Sequence, residues 1–63
     1  MSTWLKVGMR AAPADQYNGP AERGPVVLEV KWFPEDAAFR VRLSSVGMVR
    51  DDVWYHEDEI ELL

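Results

Sequence analysis

Val26-Val27-Leu28-Glu29-Val30-Lys31-Trp32, followed after Phe33-Pro34-Glu35-Asp36-Ala37 by Ala38-Phe39-Arg40-Val41-Arg42-Leu43, alternates apolar and charged residues with a period of two. In the first run Val26, Leu28, Val30 and Trp32 fall on one face, with Glu29 and Lys31 on the other. In the second, Phe39, Val41 and Leu43 oppose Arg40 and Arg42. That period defines half-buried strands. Folding back around Glu35 and Asp36 gives a hairpin over residues 26–43 in which Trp32 faces Phe39, Val30 faces Val41, Leu28 faces Leu43 and Glu29 meets Arg42. A slip of one residue would set apolar side chains against charged ones, so the register is specified by the pattern itself. One pair opposes it: Lys31 lies across from Arg40, a repulsion that solvent screens to a small cost.

Upstream of the hairpin, Leu5, Val7 and Met9 alternate with Lys6, Gly8 and Arg10 and predict a short first strand with its apolar side inward. Residues 11–25 carry three of the four prolines and two of the four glycines, and predict a long loop with a turn at Asn18-Gly19-Pro20. Loops of that length in a small domain are more often functional or disordered than merely connecting. Downstream, Ser44-Ser45-Val46-Gly47 turns the chain, Met48-Val49-Arg50 reads as a brief strand or part of the turn, and Asp51-Asp52 forms a polar tip. Val53-Trp54-Tyr55-His56 then favours a strand by its aromatic and β-branched content. A tight turn over residues 56–59 leads to a last short strand with Ile60 and Leu62 inward. Trp32 and Phe39 are expected in the core, whereas Trp4, Tyr17 and Trp54 fall outside the core pattern.

The 63 residues fit a single domain near the lower size limit for autonomous folding, where only about 60% of the unfolded surface is buried. Cysteine is absent, which removes disulfides, thiolate zinc sites and thiol catalysis. No apolar run approaches the roughly 18 residues of a membrane span, and the N-terminus lacks a basic-then-apolar leader layout. A cytoplasmic protein is expected. The net charge of −4 is unevenly placed. All seven Lys and Arg lie in residues 1–50 with five acids, whereas residues 51–63 hold six acids and no Lys or Arg. An acidic total disfavours wholesale phosphate binding.

Val7-Gly8-Met9-Arg10, the long loop, Phe39-Arg40-Val41-Arg42-Leu43 and above all Val53-Trp54-Tyr55-His56-Glu57-Asp58-Glu59-Ile60-Glu61-Leu62 resemble the layout of small SH3-like β-barrels. These commonly end in an aromatic strand, a short acidic turn and a Glu-Ile-Glu-Leu type strand. Within that group the tail looks most like accessory subunits of ferredoxin-linked photosynthetic complexes, such as the variable chain of ferredoxin–thioredoxin reductase. The resemblance implies an all-β SH3-like barrel of four to five antiparallel strands, with a single-turn helix before the last strand, and a non-catalytic docking role. Only the barrel is carried forward, since fold does not imply function.

Several residue sets carry candidate chemistry. Asp51, Asp52, His56, Glu57, Asp58 and Glu59 offer ligands for a divalent metal, but their spacing matches no established metal loop and a solvated acidic rim is the plainer reading. His56 with Ser44 or Ser45 is a formal base and nucleophile, without a spacing that supports catalysis; no enzyme and no cofactor are expected. Lys31, Arg40 and Arg42 share the outer hairpin face and, with Trp54 or Tyr17 as a stacking platform, form the alternative of a nucleic-acid-binding barrel. The favoured reading is a small acidic protein-binding module, either an accessory or regulatory subunit or an inhibitor of the kind phages encode. Its contacts are assigned to Asp51, Asp52, Glu57, Asp58 and Glu59, with Tyr17 and Trp54 as apolar anchors, against a partner with a basic surface. Open edge strands leave a homodimer possible.

Overall fold

The computed structural model describes residues 2–63. It is all-β, with two small antiparallel sheets and short 3-10 turns. The strands are β1 (Ala11–Pro13), β2 (Val27–Phe33), β3 (Ala38–Leu43), β4 (Tyr55–His56) and β5 (Ile60–Leu62). One sheet has the order β2-β3-β4 and the other pairs β1 with β5. Arg10 bridges Val26, and the Leu63 N–H donates to the Arg10 carbonyl. The segment entering β1 therefore touches both sheets.

The hairpin register follows from alternation. Trp32 pairs with Phe39, Lys31 with Arg40, Val30 with Val41 and Glu29 with Arg42. The departure is at the open end, where Val27, not Leu28, opposes Leu43 because a bulge falls between Val27 and Glu29. A bulge adds one residue to one strand and re-aims the chain beyond it. Val27 is thereby fully buried, and Leu28 is left 43% exposed. At the closed end Pro34–Asp36 form a 3-10 turn and Ala37 adopts the left-handed conformation (φ 49°, ψ 44°). Trp32 and Phe39, expected in the core, are half-buried, their rings edge to face at 5.0 Å.

The first predicted strand does not form. The Met9 N–H donates to the Lys6 carbonyl in a turn that places Gly8 at φ 95°, a conformation glycine adopts without a Cβ penalty. Leu5 is buried, but Val7 is 66% exposed. The strand comes later, inside the predicted loop, where Ala11, Ala12 and Pro13 are all buried. Three small residues covered on both sides show no alternation, so the period-two signal is silent there. The remainder of the loop turns at residues 14–16, closed by the Gln16 N–H on the Pro13 carbonyl, and Ala21–Arg23 form a 3-10 turn. The turn thus precedes Asn18-Gly19-Pro20. At Gly24 a Cβ would meet the tip of the Leu63 side chain, which would have to move aside.

After β3, the Val49 N–H donates to the Val46 carbonyl, so Met48-Val49-Arg50 belongs to a turn whose Val49 is buried. The Val53–His56 strand shortens to β4, with Tyr55 inward. In β5 Ile60 is buried as expected, but Leu62 is 64% exposed and Leu63 packs against the core instead. Beyond Ile60 the strand has only β1 beside it, so its outer side chains meet solvent. The core is Leu5, Ala11, Ala12, Val27, Val41, Leu43, Val49, Tyr55 and Ile60. No helix among the described residues is long and apolar enough to cross a membrane.

Candidate functional site

Side chains of successive strand residues point to opposite faces, and the outward positions of the three-stranded sheet hold its chemistry. They are Glu29, Lys31 and Phe33 from β2, Arg40 and Arg42 from β3, and His56 from β4, with Trp54 leading into β4. Phe33 and Trp54 meet edge to face with ring centroids 5.3 Å apart. Lys31 Nζ lies 5.4 Å from the Phe33 ring centre and 5.8 Å from that of Trp54. The guanidinium of Arg40 is 5.6 Å from Phe33 and that of Arg42 is 5.9 Å from Trp54. Two aromatic rings are thus flanked by three cations within cation–π range. This also resolves the Lys31–Arg40 repulsion: Arg40 turns to Asp36 at 2.8 Å, while Lys31 turns over the rings.

The arginines also fix the backbone around Trp54. Arg40 Nη1 donates to the Trp54 carbonyl (3.3 Å), and Arg42 Nη1 to the Asp51 carbonyl (3.0 Å). Arg42 Nε donates to Glu29 Oε1 at 3.0 Å. Each arginine charge is therefore matched by a carboxylate of its own chain. Lys31 forms no ion pair among the described residues.

The acidic segment divides into groups with internal partners and groups free of them. Glu57 Oε2 accepts from the Thr3 hydroxyl at 2.5 Å, tying the N-terminal segment to the tail. His56 and Glu59 form a reciprocal cap: His56 Nδ1 accepts from the Asp58 N–H, and Glu59 Oε1 from the His56 N–H. Asp52 takes a two-pronged ion pair from Arg50 at 2.8 and 3.0 Å. That hydrogen-bonded pair lowers the Asp52 pKa and raises that of Arg50. The Asp51 side chain and most of Asp58 face solvent. No three His, Asp or Glu side chains among the described residues are grouped to hold a metal, so the six candidate ligands are spread along the tail without converging.

Tyr17 lies elsewhere. It packs against the core, donates to the Pro20 carbonyl at 2.5 Å, and lines an open cleft of about 360 Å³ with Ala14, Asp15, Gln16, Gly47 and Met48. Tyr55, on the opposite side of β4 from Trp54, reaches Gln16 Oε1 with its hydroxyl at 3.0 Å. The two predicted anchors therefore belong to different clusters. Ser44 Oγ accepts the Val26 N–H at 2.8 Å, and His56 Nδ1 is occupied by its cap, so neither is directed at the other.

Phe33 is the site residue that the hairpin reading left in the turn. Its signal was present: it continues the Glu29, Lys31 parity onto the wet face. In comparisons with protein-family models, curated proteins and solved structures, nothing matches this chain. The fold and site define a small all-β protein with an aromatic pair on the exposed face of a three-stranded sheet.

Proposed function

We propose that the chain is a non-enzymatic protein-binding module with the topology of a small SH3-like barrel, acting as an accessory subunit or inhibitor. Its contact surface is the outer face of β2-β3-β4. The observation that carries this reading is the Phe33–Trp54 pair, which packs on the outside of the sheet. Trp and Arg are the residue types over-represented at interface hot spots, and an aromatic pair ringed by charges matches that anatomy. Asp51, held beside Arg42 through its carbonyl, and Asp58, next to His56, supply the acidic rim. Because Arg40 and Arg42 are neutralised within the chain, the rim selects a partner with basic groups, mainly through association rate. Glu57, Glu59 and Asp52 support the turns that present it. Tyr17 is set aside from this surface.

The test is affinity capture from a lysate of the source organism with wild type, Trp54→Ala and Asp51→Lys/Asp58→Lys, at low and high salt. A protein retained by wild type, lost with Trp54→Ala and weakened both by the charge variant and by salt is the expected result. Equal capture by all three forms would contradict it. A second reading rests on Lys31, Arg40 and Arg42 around Trp54 and Phe33, which is also how sheets stack single-stranded nucleic acid. Retention of nuclease-sensitive material that is lost with Arg40→Glu/Arg42→Glu would favour that one.

A further inference from the structure

β2 is an edge of its sheet. Beyond Val27, which bonds to Gly8 and Met9, residues 28–33 make no backbone hydrogen bond outside the β2–β3 ladder among the described residues. In an antiparallel ladder alternate residues direct their N–H and C=O away from the neighbour, so this edge presents unpaired peptide groups that can template another strand. The sequence along it is Leu28-Glu29-Val30-Lys31-Trp32: apolar, acidic, apolar, basic, apolar. We propose that this edge pairs antiparallel with the same edge of a second copy, with Val30 on the two-fold axis.

The register follows from charge. In an isologous pair of identical antiparallel strands, directly opposed side chains share a face, so the axis passes through a residue. An axis at Glu29 sets glutamate against glutamate, and one at Lys31 sets lysine against lysine. The axis at Val30 alone sets Glu29 of each copy against Lys31 of the other. Lys31, which has no ion pair among the described residues, gains one from a Glu29 that also holds Arg42. The bulge at Leu28 and the pairing of Val27 with residues 8 and 9 end the contact before Glu29. The product is one continuous sheet in the order β4-β3-β2-β2-β3-β4, carrying two Phe33–Trp54 faces side by side. This pairing is independent of the protein partner proposed above.

Sedimentation equilibrium on the full chain, from about 5 to about 500 µM, tests it with Glu29→Lys, Lys31→Glu and the double exchange. Circular dichroism confirms that each variant is folded. Wild type is expected to dimerise. Each single variant, which opposes like charges at both symmetry-related pairs, is expected to raise the dissociation constant at least about tenfold. The double exchange restores complementarity and is expected to return it to within about threefold of wild type. A wild type that stays monomeric, single variants that dimerise as wild type does, or a folded double exchange that remains as weak as the singles would each overturn the proposal.

Discussion

Phe33 and Trp54 touch edge to face on the outer side of the sheet, 5.3 Å between ring centres, while Trp32 and Phe39, their neighbours in the chain or ladder, form a second edge-to-face pair on the inner side at 5.0 Å. One face of the hairpin thus carries an aromatic pair of its own, and the other builds one with Trp54 from the segment leading into β4. Removing a ring on either side has a different consequence.

Phe39→Ala, which removes one ring of the inner edge-to-face pair, is expected to cost about 2–3 kcal/mol, below the range for a fully buried phenylalanine because the ring is half-buried. Trp54 is also half-buried, and Trp54→Ala loses the outer edge-to-face contact and the cation–π contacts of Lys31 and Arg42, so it is expected to cost about 1–2 kcal/mol. Urea titration followed by far-UV circular dichroism measures both. A Trp54→Ala cost as large as that of Phe39→Ala would make the outer pair a structural cap.

Tyr55 is buried, and its hydroxyl is shared: it accepts the Arg50 N–H at 3.1 Å and donates to Gln16 at 3.0 Å. Tyr55→Phe keeps the ring and orphans both groups, at an expected cost of about 1–2 kcal/mol. Amide hydrogen exchange should accelerate at Arg50 more than at Val41, in the centre of the hairpin.

Ala37 closes the hairpin with φ 49° and ψ 44°. A side chain in that region costs about 1 kcal/mol, which glycine avoids. Ala37→Gly is therefore expected to raise the melting temperature despite its greater unfolded-state entropy. Gly8→Ala, at φ 95° in open space, is expected to lower it.

Asp52 and Arg50 make the pH-sensitive contact. Hydrogen bonding from Arg50 holds the folded-state pKa of Asp52 below its ordinary value of 3.8. The contribution of this pair is therefore present above that value and is lost as pH falls through the depressed one. Both groups are solvent-exposed, so the effect on stability is slight, and the direct readout is the carboxyl carbon titration of Asp52 by NMR. Arg50→Ala should move its midpoint upward; an unchanged midpoint would remove Arg50 as the cause.

What alternation encodes was legible: the β2–β3 register from Glu29 to Trp32 and the acidic turn before β5 follow from period two and local turn chemistry, and parity set Trp54 and Tyr55 on opposite faces, while only the pairing with Val41 shows that Tyr55 is the inward one. What depends on long-range packing was not. Ala11–Pro13 form a strand because small residues fit between covered surfaces, and a covered strand has no wet face to alternate with. Leu28 was displaced by a bulge beside Val27, whose pairing with residues 8 and 9 is not written in the local pattern. At the site, Trp54 and the flanking acids could be read along the chain. Phe33 could be found by extending the strand parity one step, whereas the separation of Tyr17 from Trp54 depended on which side of β4 each loop packs.

The claim that the outer sheet face is the binding surface is tested most directly by a photoreactive amino acid placed at Asp51, beside Trp54, or at Asp15, in the Tyr17 cleft, and irradiated in a lysate of the source organism. The account predicts a discrete protein adduct from position 51 that disappears when Trp54→Ala is added, and none from position 15. An adduct from position 15 alone, or a position-51 adduct indifferent to Trp54→Ala, would contradict it.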